Sequence, residues 1–276
     1  MDYRIVVDSS ANMNSFSGVD FDSVPLKITT DEREFVDDTT LELDEMLQYL
    51  ESYKGRSGTS CPNVGEWKAA FGQAKYVFTI AITSNLSGAY NASVQAGQVY
   101  MEENPDRRVC NLDSLSTGPE MVLIAQKLRE LIHEGLDFDT IEKRIREYMT
   151  RTHLLFSLES LNNLARNGRV SPLVAKAAGL LGIRIVGKAS DVGTLQQMHK
   201  CRGEMKALQT IVAEMTKMAY QGGKVCISHC RNPRAAEELS RQVLHLWPNA
   251  DLEVTECGGL CSFYAERGGI LVGFEG

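Results

Sequence analysis

The chain contains no stretch of about 18 or more apolar residues, so no membrane-spanning helix is expected. Its first residues, MDYRIVVDSSANM, lack a basic segment followed by an apolar one, so they do not read as a secretory leader. Seven cysteines, an odd number in 276 residues, do not suggest a disulfide framework; a reduced, cytoplasmic location is expected. Histidine is scarce at five residues, and no G-x-S-x-G turn is present to expose a nucleophilic serine. No G-x-G-x-x-G follows a strand-like run, so a dinucleotide fold is not indicated. A net charge of −7 argues against general nucleic-acid binding.

The charge that is present lies unevenly. Between Glu159 and Lys206, eight basic residues (Arg166, Arg169, Lys176, Arg184, Lys188, Lys200, Arg202, Lys206) face three acids, and the rest of the chain is −12. Such a segment is either a solvated surface or a docking face for an anionic partner. Arg169 follows Asn167-Gly168, a helix stop, and is expected to be exposed.

Apolar periodicity predicts strands at 3–8, 24–28, 76–82 and 108–113, alternating with helices at 45–53, 63–71, 89–100 and 119–133. Asn63 and Glu66 have capping-box spacing. Three of these strands end in polar Ser/Asp turns, and ligands of open α/β sheets bind outside the carboxyl ends of strands. After a helix at 139–149 the pattern changes. A strand at 153–156, a short helix at 159–167, a hairpin over 182–188 and 194–201, a helix at 204–220, a strand at 224–229, a helix at 232–246 and strands at 252–255 and 269–274 follow. The expected fold class is α/β in two domains: residues 1–150 with a mostly parallel sheet and helices, and residues 151–276, an α/β domain with hairpins.

Two turns rich in hydroxyls stand out. Thr59-Ser60-Cys61-Pro62 precedes a helix, and Thr83-Ser84-Asn85-Leu86-Ser87-Gly88 joins the strongest strand to a helix. Helix N-termini and hydroxyl donors suit a carboxylate or phosphate, although plain capping explains an isolated pair equally. Asp8-Ser9-Ser10 and Asp113-Ser114 are weaker candidates that could simply tie turns together. Cys226/Cys230 and Cys257/Cys261 are spaced C-x3-C around His229, but Cys226 lies in an apolar run and the spacing is not that of a zinc knuckle, so no metal is expected. Gly182–Lys188 imitates the start of a P-loop, yet its interior is strand-like and no Ser or Thr follows Lys188.

Several segments, in order, resemble the DegV family: Ile5-Val-Val-Asp8-Ser9-Ser10-Ala11, Val24-Pro25-Leu26, Thr59-Ser60-Cys61-Pro62, Ser84-Asn85-Leu86-Ser87-Gly88-Ala89-Tyr90, Asp113-Ser114, Leu158-Glu159 through Gly168-Arg169-Val170, and Lys200-Cys201-Arg202-Gly203. The family includes the fatty-acid-binding subunit of bacterial fatty acid kinase. The resemblance implies that Thr59 or Ser60, with Ser84 or Ser87 and neighbouring Asn85, holds a fatty-acid carboxylate. It implies an acyl-chain tunnel in the second domain. Where the family carries histidine in a glycine-rich strand entry, this chain has Tyr264, or Phe263 in a shifted register; Tyr264 or Arg267 then stands as a substitute donor. The implied function is that of a carrier with no cofactor and no catalytic set, presenting a long-chain fatty acid to a separate kinase that makes the acyl phosphate. Arg166, Arg169 and Arg202 would meet that kinase. The alternatives are a stand-alone enzyme with Ser60, Ser84 or Cys61 as nucleophile, which needs a base in reach, and a non-catalytic regulatory scaffold.

Overall fold

The structure is a computed structural model that describes residues 2–172 and 182–276. Strands β1 (Tyr3–Asp8), β2 (Asp20–Val24), β6 (Tyr76–Ala81) and β7 (Arg108–Asp113) form a four-stranded sheet in the order β2-β1-β6-β7, with every pair parallel. Central β1 and β6 are buried over most of their length, which explains their continuous apolar runs. Helices α2 (Val64–Phe71) and α3 (Ala89–Glu103) cover one face of this sheet through Trp67, Phe71, Ala96 and Tyr100. The Asn63–Glu66 capping box is formed. The other face receives α4 (Pro119–His133) and α5 (Phe138–Met149).

Pairing changes between Asp113 and Thr152. Strands β8 (Thr152–Leu158), β9 (Ile183–Ala189), β10 (Leu195–Arg202), β11 (Lys224–His229), β12 (Asp251–Glu256) and β13 (Ile270–Glu275) form a mixed six-stranded sheet, in the order β10-β9-β8-β13-β11-β12. Gly182–Lys188 therefore runs into a strand paired on both sides, with β8 and β10. Helices α7 (Glu204–Lys217) and α8 (Pro233–Leu246) pack on one face of that sheet. Its other face meets α4, so this helix lies between the two sheets. Pro119, Met121, Val122, Leu123, Ile124, Ala125, Leu128 and Leu131 of α4 are all buried, the all-round apolar pattern of an interior helix.

The residues from 24 to 28 are not one strand. β2 ends at Val24, and after Pro25-Leu26 the chain enters β3 (Lys27–Thr30) in a separate antiparallel sheet of order β4-β3-β5, with β4 (Glu34–Val36) and β5 (Ser57–Ser60). Proline lacks the N–H that a continuous central strand would need, which fits the break there. Helix α1 (Leu43–Ser52) packs near this sheet. Two short helices complete the arrangement: α6 (Asn162–Arg166) and α9 (Gly259–Ala265). Sequence periodicity does not predict α9. Both oxygens of buried Asp37 accept from its first backbone amides, Gly259 N at 2.6 Å and Leu260 N at 2.9 Å, and Asn12 accepts from Gly258 N at 2.8 Å. A carboxylate on the N–H groups of a helix start is a favourable cap. It ties α9 to the first half of the chain.

Candidate functional site

An apolar cleft lies between the two halves, with an empty space of about 680 Å³ counting the part open to solvent. Six of its seventeen lining residues come from the first half (Leu26, Thr59, Ile82, Leu86, Ser87, Thr117) and eleven from the second, so its walls are not built by the second domain alone. Its floor is the face of β8 that carries Leu154, Phe156 and Leu158, since alternate residues of a strand share a face. Gly187 is paired with Phe156, and the Phe156 ring occupies the space a side chain there would need. From α9 come Leu260, Cys261, Tyr264 and Ala265.

The polar lining is sparse, and four of its members stand out. Thr59 is presented by β5, not by a helix N-terminus: the helix begins at Val64, after Asn63 has capped it. The Thr59 hydroxyl lies 2.8 Å from the Tyr264 hydroxyl. One proton is used between these two oxygens, which leaves the other for a ligand. Burial raises the Tyr264 phenol above its ordinary value, against the lowering influence of Thr59 and Arg169, so at neutral pH it is a donor. Ser87 lines the cleft and its hydroxyl accepts from Ala89 N at 3.2 Å.

Arg169 is the fourth, and it departs from expectation. It is half-buried rather than projecting into solvent. Its Nε donates to the Leu86 carbonyl at 3.2 Å, a second nitrogen bonds the Asn167 carbonyl, and the guanidinium lies 5.8 Å from the centre of the Tyr264 ring. The αL turn at Gly168, φ +75°, reverses the chain and aims Arg169 back at the turn after β6. Two hydroxyls, a serine and a guanidinium at an otherwise oily cleft suit an amphiphile with an anionic end.

The other expected ligand residues lie elsewhere. Ser60 is exposed and Ser84 is half-buried; neither lines the cleft. The Ser84 backbone amide donates to the Asp113 carboxylate, 3.2 Å to the nearer oxygen, and Leu115 N donates to the same group at 3.0 Å. Asn85 is exposed and its amide donates to the Val192 carbonyl at 2.6 Å, holding the tip of the β9–β10 hairpin. Asp113 thus ties turns together. So does Asp8, which accepts from Ile82 N at 2.7 Å and from Ser10, and which burial pushes up to about 6. Phe263 is buried against α1 and β3, away from the cleft, and Arg267 pairs with Glu51 on the surface. None of the five histidines lines the cleft.

Six of the seven cysteines are buried and all are free thiols. Cys261 reaches the cleft, but burial pushes its thiol up to about 12, so it is a small apolar wall element rather than a thiolate. Among the described residues, no group of three His, Cys, Asp or Glu side chains is arranged to hold a metal ion.

The basic segment is not one face. Arg184 is buried, donating to the Gly268 carbonyl and pairing with Glu159 and Glu204. Arg166 is exposed beside Lys54, Arg56 and Asn167 around an open polar groove. Arg202 is exposed on edge strand β10, paired with Ile183 two residues beyond the Leu158–Ile185 pairing that ends the cleft floor. Lys176 lies outside the described residues. No helix among the described residues is long and apolar enough to cross a membrane.

Comparison with known proteins agrees with this architecture. The model of the DegV family, described as an uncharacterised protein family, matches residues 2–275. A DegV domain-containing protein of Streptococcus pneumoniae is 38% identical over 279 aligned residues, covering 100% of this chain and 99% of the relative. One from Streptococcus pyogenes is 39% identical with full coverage of both. Among solved structures, a DegV family protein from Eubacterium eligens loaded with heptadecanoic acid superposes with a TM-score of 0.97 at 44% identity, covering 99% of each chain. The Streptococcus pneumoniae Fatty Acid Kinase (Fak) B3 protein loaded with linoleic acid gives 0.98 at 38% identity, covering 100% of this chain and 99% of that one. With its family model spanning nearly every residue and full-length relatives near 40% identity, the chain belongs to the DegV family.

Proposed function

We propose that this protein binds one long-chain fatty acid, with the acyl chain in the cleft over β8 and the carboxylate at Thr59, Tyr264, Ser87 and Arg169, and presents that carboxylate to a separate kinase. The observation that carries the reading is the join of an oily interior to one small polar cluster. Burying the chain supplies most of the affinity, on the order of 0.8 kcal/mol per CH₂ removed from water. The cluster orients the head group: the Thr59–Tyr264 pair donates one O–H, and Arg169 attracts the negative charge before contact. The fatty-acid-loaded relatives, one of them a fatty acid kinase B3 protein, support the same assignment.

In this reading the protein performs no bond-making step. A carboxylate oxygen attacks a phosphoryl group held by the partner, and mainly neutral donors leave that oxygen nucleophilic. Exposed Arg166, and Arg202 at the same end of the sheet, are the groups offered to the partner and its phosphates. The test is native mass spectrometry of protein purified without added lipid, then delipidated and reloaded with hexadecanoic acid. A single bound acid, lost on delipidation and restored on reloading, is expected. Protein that never carries or accepts the acid overturns the reading.

A further inference from the structure

The cleft floor continues past its apolar part. From Leu158 to Thr152, β8 presents Leu158, Phe156, Leu154 and Thr152 on one face over roughly 20 Å, at about 3.3 Å per residue. Leu154 lines the apolar cleft and also a second cavity on its far side, of about 950 Å³ counting its open part. The character of the wall changes there: Ser114, Glu120, Arg146, Thr152, His153 and Ser190 contribute to it.

Glu120 is the unusual member. It is 5% exposed, sits in the first turn of α4, and accepts from the Thr152 hydroxyl at 2.8 Å. Among the described residues it has no ion-pair partner within 4.0 Å. Its position beside Leu154 follows from Gly273, the β13 residue paired with Leu154. A Cβ on Gly273 would stand 2.5 Å from the Glu120 backbone nitrogen, so the glycine admits the start of α4 directly over the end of the cleft. A buried carboxyl that meets the Ser116 and Thr152 hydroxyls and borders a cavity still has acceptor capacity left for a donor brought by a ligand.

We propose that the Glu120 cavity is the distal compartment of the acyl site, and that it admits the far end of a chain bearing a terminal hydroxyl, with Glu120 as acceptor and Leu154 as the movable divider. The inference rests on the proposed occupation of the apolar cleft by a fatty acid. The lengths agree: an extended chain of roughly sixteen to eighteen carbons covers about the span from Leu158 to Thr152. A chain ending in a methyl group finds no polar partner to gain beyond Leu154. Chains ending in a hydroxyl pass it and exchange bonds to water for a bond to Glu120. Arg146 is bonded to Glu142, whereas Glu120, the most buried carboxyl of this lining, has no cation beside it among the described residues.

The experiment compares dissociation constants of hexadecanoic acid, its terminal-hydroxy analogue and its terminal-methoxy analogue on full-length delipidated protein. On wild type at about pH 8.5, above the value near 7 to which burial raises Glu120 and where it carries no proton to donate, the hydroxy acid is expected within about threefold of the parent, and the methoxy acid, which cannot donate, roughly tenfold weaker. Glu120→Leu should weaken the hydroxy acid about tenfold and leave the parent within about twofold; Thr152 then turns to the Met149 carbonyl, already 3.3 Å away. Should Glu120→Leu fail to fold, the hydroxy-to-methoxy ratio on wild type still decides. A parent acid that binds while hydroxy and methoxy analogues are rejected alike overturns the distal compartment and leaves the proposed function standing. Tighter binding of the corresponding dicarboxylic acid than of the hydroxy acid would assign the cavity to Arg146 and His153 and overturn the role of Glu120. A parent acid that does not bind overturns the proposed function itself.

Discussion

The hydroxyls of Thr59 and Tyr264 lie 2.8 Å apart although 205 positions separate them in the chain. One comes from a four-residue strand of the smallest sheet, the other from the last turn of α9. Two elements with little stability of their own meet where Asp37 and Asn12 hold the start of α9. If this pair grips a carboxylate, Thr59→Ala and Tyr264→Phe should each raise the dissociation constant for hexadecanoic acid about fivefold, near 1 kcal/mol per lost hydrogen bond. Calorimetric titration measures this. Unchanged affinity in the double variant would remove the pair from the head-group site.

Arg169 offers a distinguishable effect. Its guanidinium is inside the mouth, so Arg169→Ala should weaken fatty-acid binding by roughly tenfold or more, in the range for hydrogen bonds to charged groups. The wild-type affinity should fall with added salt and the variant's should not. An Arg169→Ala protein that binds as wild type at low salt would return this residue to a purely external role.

Glu120 gives a prediction in pH. Burial pushes its carboxyl from an ordinary 4.5 up to about 7, against the Ser116 and Thr152 hydroxyls that favour the charged form. The folded protein therefore holds a proton that the unfolded chain has released, and stability falls as pH rises from about 4.5 through about 7. The loss attributable to this group is on the order of 3 kcal/mol. Glu120→Gln should flatten the dependence of urea unfolding on pH between about 5 and 8. Asp8, raised to about 6 from 3.8, contributes a slope of the same sign at lower pH and is untouched by the substitution. A variant whose stability profile parallels that of wild type across this range would count against a buried, proton-binding Glu120.

Gly273→Ala tests the packing at the end of the cleft. Its added methyl would stand 2.5 Å from backbone atoms of both Pro119 and Glu120, which cannot rotate aside as a side-chain tip could. The expected loss is about 1–3 kcal/mol by denaturant unfolding, as for an overfilled core. Stability within a few tenths of wild type would mean that α4 shifts freely.

What could be read in the sequence divides along physical lines. β1, β6, the turn after β6 and the Asn63–Glu66 box declare themselves because their signals are local: buried apolar runs, turn residues and a three-residue spacing. The sheet of β3, β4 and β5 does not, because its strands have three or four residues of mixed polarity with long connections between β4 and β5. α9 does not, because its N-terminal cap is supplied by Asp37 from 222 positions away and its sequence begins in glycine. Within the site, the turns of Thr59 and Ser87 are marked by their hydroxyls beside helix starts, whereas Tyr264 rests on resemblance to the family alone. Nothing local to the turn ranks Ser87 above Ser84, since their difference is made by the Asp113 carboxylate holding the Ser84 amide. Arg169 read as exposed because the direction of a side chain after an αL glycine depends on what it folds back against.

Helix α4 is shared. Its one side completes the core under the parallel sheet and its other side closes the mixed sheet, so neither half has a finished interior without it. Cutting the chain near residue 150 would strip α4 of its second partner and leave one face of the mixed sheet uncovered. The two halves should therefore melt together in a single transition, seen as coincident unfolding curves from probes placed in each half.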